Sequence, residues 1–296
     1  MSNDRTGHIN WPPWSFDYAV SDSEGLALLN GTFKGKGVFG KFSMPVIRVK
    51  YLRDEGETVI DLPIVGGIGG GAGPFADQIS WHLGGDHGLQ KIANRNHEYI
   101  GLTEFSRPGQ RWYEISIYSR IGAYHLAQMW YLSDTGFVCP RIFSKGLHIN
   151  MDHTHHPYWR LDFDIDGSAH NRVYMQDNRG WWFYPKESNG VKVPSTSQRW
   201  FVHSERTGRG AWITPGGGDG LPDQFSRIDI AVRRYNQAEE QNPWPFGTGG
   251  LGFLNGEDVS DADVVFWYVA HMFHRAAEGS DHWHGAGPDL LVHGYD

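Results

Sequence analysis

Apolar and polar residues alternate along most of this chain with a period of two, the pattern of strands that bury one face. Between Trp11 and Arg53 the runs Gly25-Leu-Ala-Leu-Leu, Val38-Phe-Gly-Lys-Phe-Ser and Val46-Ile-Arg-Val-Lys-Tyr51 are separated by Asn30-Gly31, Gly35-Lys-Gly37 and Met44-Pro45, as in a meander of hairpins. The alternation resumes at Trp112 to Tyr118, His125 to Leu132 and Gly136 to Phe143, with Ser133-Asp-Thr-Gly136 as a hairpin turn. It continues through Arg172 to Met175, Gly180 to Tyr184, Trp200 to His203, Gly210 to Ile213, Ile228 to Tyr235 and Asp263 to Val269. Phe75 to His87 suggests a short helix or turn, and Asn236 to Gly256 a long loop. No internal repeat or linker interrupts the series, so one all-β domain over residues 1–296 is expected.

One stretch stands apart. Asp152 to Gly167 opens with His153 and His155 and then alternates at Leu161, Phe163 and Ile165. Residues i and i+2 of a strand share a face, so these two imidazoles aim at the same point. Two neutral imidazoles side by side suit copper, zinc, iron or nickel. The alternative is a polar strand face whose histidines meet water or backbone carbonyls. Downstream, His271, His274, His282 and His284 follow the last strand closely, together with Glu278 and Asp281.

Composition narrows the function. A net charge of −8 without any basic run argues against a nucleic-acid partner. One cysteine, Cys139, excludes an internal disulfide and a cysteine-rich zinc site. No apolar run is long enough for a membrane span, and the first residues lack the pattern of a signal peptide, so a cytoplasmic protein is expected. The glycine-rich stretch Val65 to Pro74 lacks the Gly-Lys-Ser/Thr ending of a phosphate loop and reads as a tight turn where backbones approach closely.

The order of motifs resembles the C-terminal catalytic domain of copper-containing amine oxidases. His153-Thr-His155 runs into Arg160-Leu-Asp-Phe-Asp-Ile-Asp-Gly167 at that family's spacing, and Asp263-Val-Val-Phe-Trp267-Tyr is followed by His274 where the third copper histidine stands. Ile228 to Tyr235 and Trp14 to Tyr51 resemble the preceding strand and the opening of the domain. The likeness covers nearly the whole chain. It implies a large antiparallel β-sandwich, a homodimer, and copper held by His153, His155 and His274. Spacing to the following acids makes His271 the competing choice for the third ligand.

The resemblance also places Tyr124 where that family converts a tyrosine into topaquinone, the organic cofactor that captures the substrate amine. Around it the chain departs from the pattern. Ala123 replaces the preceding Asn, and His125 replaces the following acid. Ile79 to His87 resembles the stretch after the proton-abstracting Asp, and counting back puts Ile68 at that Asp; only a shifted gap would bring in Asp61 or Asp77. An isoleucine accepts no proton. Three functions follow. The first is a copper-dependent enzyme acting on a small organic molecule through the three-His site, with Tyr124 and His125 as catalytic groups and no topaquinone. The second is a topaquinone-dependent primary-amine oxidase whose cofactor derives from Tyr124. The third is a non-catalytic metal-binding protein.

Overall fold

The computed structural model describes residues 5–21, 24–52, 71–77, 87–92, 97–223, 225–226, 228–240 and 254–296. Among them the alternation becomes two antiparallel sheets, one of ten strands and one of eleven. The strands that build the site are β1 (Lys36–Leu52), β2 (Tyr124–Ser133), β3 (His153–Phe163), β4 (Val264–Val269), β5 (Met272–His274) and β6 (His284–Ala286). The first sheet runs Thr6–Trp11, Trp14–Ser21, Gly25–Phe33, β1, β3, β4, Ile230–Arg234 and Ser188–Gly190, and β5 pairs with β3 beyond the end of β4. In the second sheet Phe137–Lys145 lies beside β2 and also pairs with β6. The antiparallel β-sandwich expected from the sequence is the fold.

The sheets close on a core that reaches from Ile9 to Tyr295, with Trp14, Phe42, Trp130, Trp159 and Trp200 among its fully buried side chains. Trp130 of β2 meets Trp159 of β3 edge to face at 5.3 Å, an arrangement that aromatic quadrupoles favour. Gln128 is buried between the sheets because its amide donates to Leu26 O and accepts from Leu26 N, each at 2.9 Å. A buried amide with both ends satisfied costs little.

β3 is buried along its whole length, on both faces. One face looks into the sandwich, and the other carries Tyr158 against Val46, Val265, Trp267 and Val269. Two covered faces explain why polar residues on this strand are as hidden as apolar ones. The Arg160-to-Gly167 motif fixes the strand's end. Asp166, at φ 56°, accepts from Arg209 Nε at 2.8 Å and Thr207 Oγ1 at 2.5 Å, tying the turn to the neighbouring chain.

Asp162 is buried 3.4 Å from Arg160 Nη1, and burial outweighs that guanidinium, pushing its carboxyl up to about 7. A folded value above the unfolded one, 3.8, means this group favours the fold fully below about pH 4, and that stability is lost as pH rises through about 7. The whole effect is at most roughly 4 kcal/mol. Asp162→Asn should flatten the pH dependence of urea unfolding across that window; a slope equal to wild type would refute the assignment.

Three local expectations change. Met44-Pro45 does not end a strand, since β1 runs straight through it. Proline has no N–H to give the ladder, and the pairing with β3 shifts register there, between Tyr158 and Arg160. Phe75 to Asp77 belongs to the strand Gly71–Asp77, not to a helix or turn, while residues 78–86 and 65–70 lie outside the described residues. The C-terminal segment adds β6 and the strand Pro288–His293 to the second sheet. Among the described residues no helix is long and apolar enough to cross a membrane.

Candidate metal centre

Strand geometry assembles the site from the residues upward. On β3, His153 and His155 point into the sandwich, and Thr154 and His156 point the other way. In the β3–β5 ladder His153 lies directly opposite His274, and opposed residues share a face. The result is three packed rings. His153 and His155 have centroids 4.7 Å apart, and His153 and His274 have centroids 5.1 Å apart. A metal about 2.0–2.1 Å from a ring nitrogen lies roughly 3.2 Å from the ring centre, so two ligands at about 100° put their centres about 5 Å apart. Two pairs of ring centres stand at that spacing, but the donor atoms of the three rings do not all come within 4.8 Å of one another; among the described residues the histidine group that does is His274, Glu278 and His284.

The hydrogen bonds choose the nitrogens. His153 Nδ1 lies 2.8 Å from Met151 O, and His274 Nε2 lies 3.0 Å from Gly279 O. A carbonyl only accepts, so each of these nitrogens carries the hydrogen. His153 Nε2 and His274 Nδ1 keep their lone pairs, the arrangement by which outer carbonyls orient metal-binding imidazoles. Burial lowers His153 to about 4 and holds His155 well below its usual range. Both are neutral at physiological pH, as ligands must be.

Tyr124, the first residue of β2, reaches this cluster from the opposite sheet. Its ring centroid lies 5.1 Å from that of His155, and its hydroxyl lies 3.4 Å from His153 Nε2. The same hydroxyl is 2.5 Å from that of Tyr51 on β1 and accepts from His148 N–H at 3.3 Å. Tyr51 also packs its ring 4.6 Å from His153. Gly146 makes the close approach possible: at φ 129° it lies against the Ala123 carbonyl, which a side chain would meet at 2.3 Å. A small cavity of about 10 Å³ beside Tyr124, His155, Ile47 and Met272 has room for about one water.

The other expected residues fall elsewhere. His125 follows Tyr124 on the strand, so it points to the opposite face; it is exposed and lines a separate hollow with Trp283 and Tyr118. His271 is not beside His153. It sits on the far side of β3, where His156 Nδ1 meets His271 Nδ1 at 2.7 Å and His271 Nε2 meets Asp229 Oδ1 at 2.5 Å. Ala123 is exposed in the turn before β2. Ile68 and Asp61 lie outside the described residues, and Asp77 ends the strand beside β1. Sequence reasoning missed Tyr51, whose partner is remote in the chain and whose only signal was its position at the end of an apolar strand.

No model of a protein family matches this chain, and no curated protein does. Solved structures do match. An amine oxidase from Aspergillus nidulans is similar with a TM-score of 0.74 and 15% identity, over 98% of this chain and 51% of that one. A copper-containing benzylamine oxidase from Hansenula polymorpha gives a TM-score of 0.68 and 16% identity, over 98% and 60%. A Pichia pastoris lysyl oxidase gives 0.67 and 14%, over 97% and 52%. At such identities the likeness is one of fold, and this chain spans only half to three-fifths of the length of each.

Proposed function

We propose that His153, His155 and His274 hold one copper ion beside Tyr124, and that the chain uses this centre on a small organic molecule without building topaquinone. The observations that support this reading are three buried rings packed together, two of them with a hydrogen committed to a carbonyl, and the Tyr124 hydroxyl 3.4 Å from one of them at His153 Nε2. Copper held there would supply Lewis-acid and oxygen-activating chemistry. The protein's own part is proton handling. Tyr124 and Tyr51 share a short hydrogen bond, so negative charge that develops at the Tyr124 hydroxyl would be stabilised by the Tyr51 hydroxyl.

Two residues argue against ordinary amine oxidation. Ala123 and His125, the neighbours of Tyr124, lack the amide and the acid that flank the quinone-forming tyrosine in the family the sequence resembles, and His125 faces away from the rings. The reading with topaquinone keeps one point in its favour, the Tyr124 hydroxyl 3.4 Å from His153 Nε2. Copper-loaded protein in air, offered a panel of primary amines, should release no hydrogen peroxide above the metal-free control and should not stain with phenylhydrazine. Robust peroxide release that Tyr124→Phe abolishes would establish the quinone instead.

A further inference from the structure

A second group of donors meets beside the three rings. His274 on β5, Glu278 at the end of the short turn Ala276–Glu278, and His284 on β6 each offer one donor atom, and these three atoms lie within 4.8 Å of one another. The rings of His274 and His284 have centroids 4.4 Å apart. His284 Nε2 stands 3.5 Å from Glu278 Oε2 and makes no hydrogen bond. Two donors about 2.0–2.1 Å from one tetrahedral ion lie roughly 3.4 Å apart, so this pair already stands at ligand spacing. A ring nitrogen shielded from water without a hydrogen bond calls for a partner, and a cation supplies one.

Local structure holds the donors in place. The Glu278 carboxylate accepts from Arg275 N–H at 3.3 Å, and Asp152 accepts from Ala276 N–H at 2.8 Å, which ties the turn to the residue before β3. His284 is fixed by the pairing of β6 with Ser144. Solvent reaches this group directly: the Glu278 side chain is 37% exposed, whereas His153 and His155 are buried.

We propose that His274, Glu278 and His284 form an outer position for a divalent cation of the zinc class, separate from the inner three-ring position. Two imidazoles and one carboxylate are a donor set that zinc accepts, with the remaining position left to water from the open side. The inference shares only His274 with the three-ring reading and does not depend on it. Because His274 Nε2 donates to Gly279 O, that ring has one lone pair, so an outer ion is held in place of an inner one and not beside it.

The test uses the full chain, freed of metal and titrated with Zn(II) against a chelator of known affinity. His155→Ala removes an inner ring and leaves the outer donors whole, so the folded variant should still bind one Zn(II) per chain. Adding Glu278→Gln or His284→Ala to it should weaken that binding at least about tenfold, the lower end of what losing even a supporting group at a metal site costs. Glu278→Gln keeps the size of the side chain and an oxygen for the Arg275 N–H, so it reads the lost charge and not the turn. Circular dichroism of each metal-free variant reports folding, and His155→Asn takes the place of alanine if alanine unfolds the chain. A folded His155 variant that binds no Zn(II), or whose affinity stays within threefold when Glu278 and His284 are changed, would overturn this inference and leave the three-ring reading intact. Two Zn(II) held at once by wild type would overturn it as well. Wild-type Zn(II) affinity in the His155 variant, lost on adding His284→Ala, would sink the three-ring reading instead and keep the outer position.

Discussion

Replacing His155 by alanine is expected to cost more than a hundredfold in Cu(II) affinity, the largest effect of any single change at the centre. Binding free energies at structural metal sites run to about 10–16 kcal/mol, and shared among three or four donors that is roughly 3 kcal/mol or more for each. His155 has no redundancy. It is buried between His153 and Tyr124, where no other described side chain stands ready to replace it. Competition against a chelator of known affinity measures the loss. Affinity within threefold of wild type, in a variant that stays folded, would remove His155 from the ligand set. His125→Ala should leave Cu(II) affinity unchanged, because that side chain faces outward from β2.

The second large effect is on stability. Trp159→Ala should destabilise the protein by about 3–5 kcal/mol, the usual cost of emptying a buried tryptophan site. That is a large part of the roughly 5–15 kcal/mol that holds a typical domain folded. Trp159 is fully buried on the face of β3 that carries the histidines, packed edge-on against Trp130 of the other sheet. Collapse around the gap is limited because both neighbours of β3 are fixed in the ladder. The indole N–H has no hydrogen-bond partner among the described residues, so Trp159→Phe removes volume but no bond and should cost clearly less than alanine. Urea unfolding of both variants decides it. Equal losses would mean that the site relaxes freely or that the indole nitrogen is bonded.

How much of this was legible follows from which contacts are local. His153 and His155 could be read as a pair because a period of two fixes their common face whatever surrounds the strand. His274 was reached through the resemblance, in which a histidine stands at that distance after the tryptophan, and the β3–β5 ladder sets it opposite His153. His271 and His274 could not be separated by spacing alone. The break in pairing after Val269 turns one toward Asp229 and the other toward His153. The neighbours Tyr124 and His125 invite a shared role, but a strand sends them to opposite faces. Tyr51 and His284 reach these rings only through the pairing of strands remote in sequence, which no local pattern encodes. The continuous β1 was hidden for a different reason: Met44-Pro45 reads as a break unless a register shift absorbs the missing N–H.

The place of β3 has a consequence for how the chain is made. Its two flanking strands come from opposite ends of the sequence, β1 before it and β4 long after it. While residues 164–263 emerge from the ribosome, a strand that is buried at every residue in the folded protein is an open edge lined with unpaired N–H and C=O groups. Such an edge pairs readily with another nascent chain. Slow translation of this segment, or a stop codon anywhere before β4, should therefore yield aggregate rather than a smaller folded protein, and His153 and His155 have no third ring to share an ion with until β5 is made.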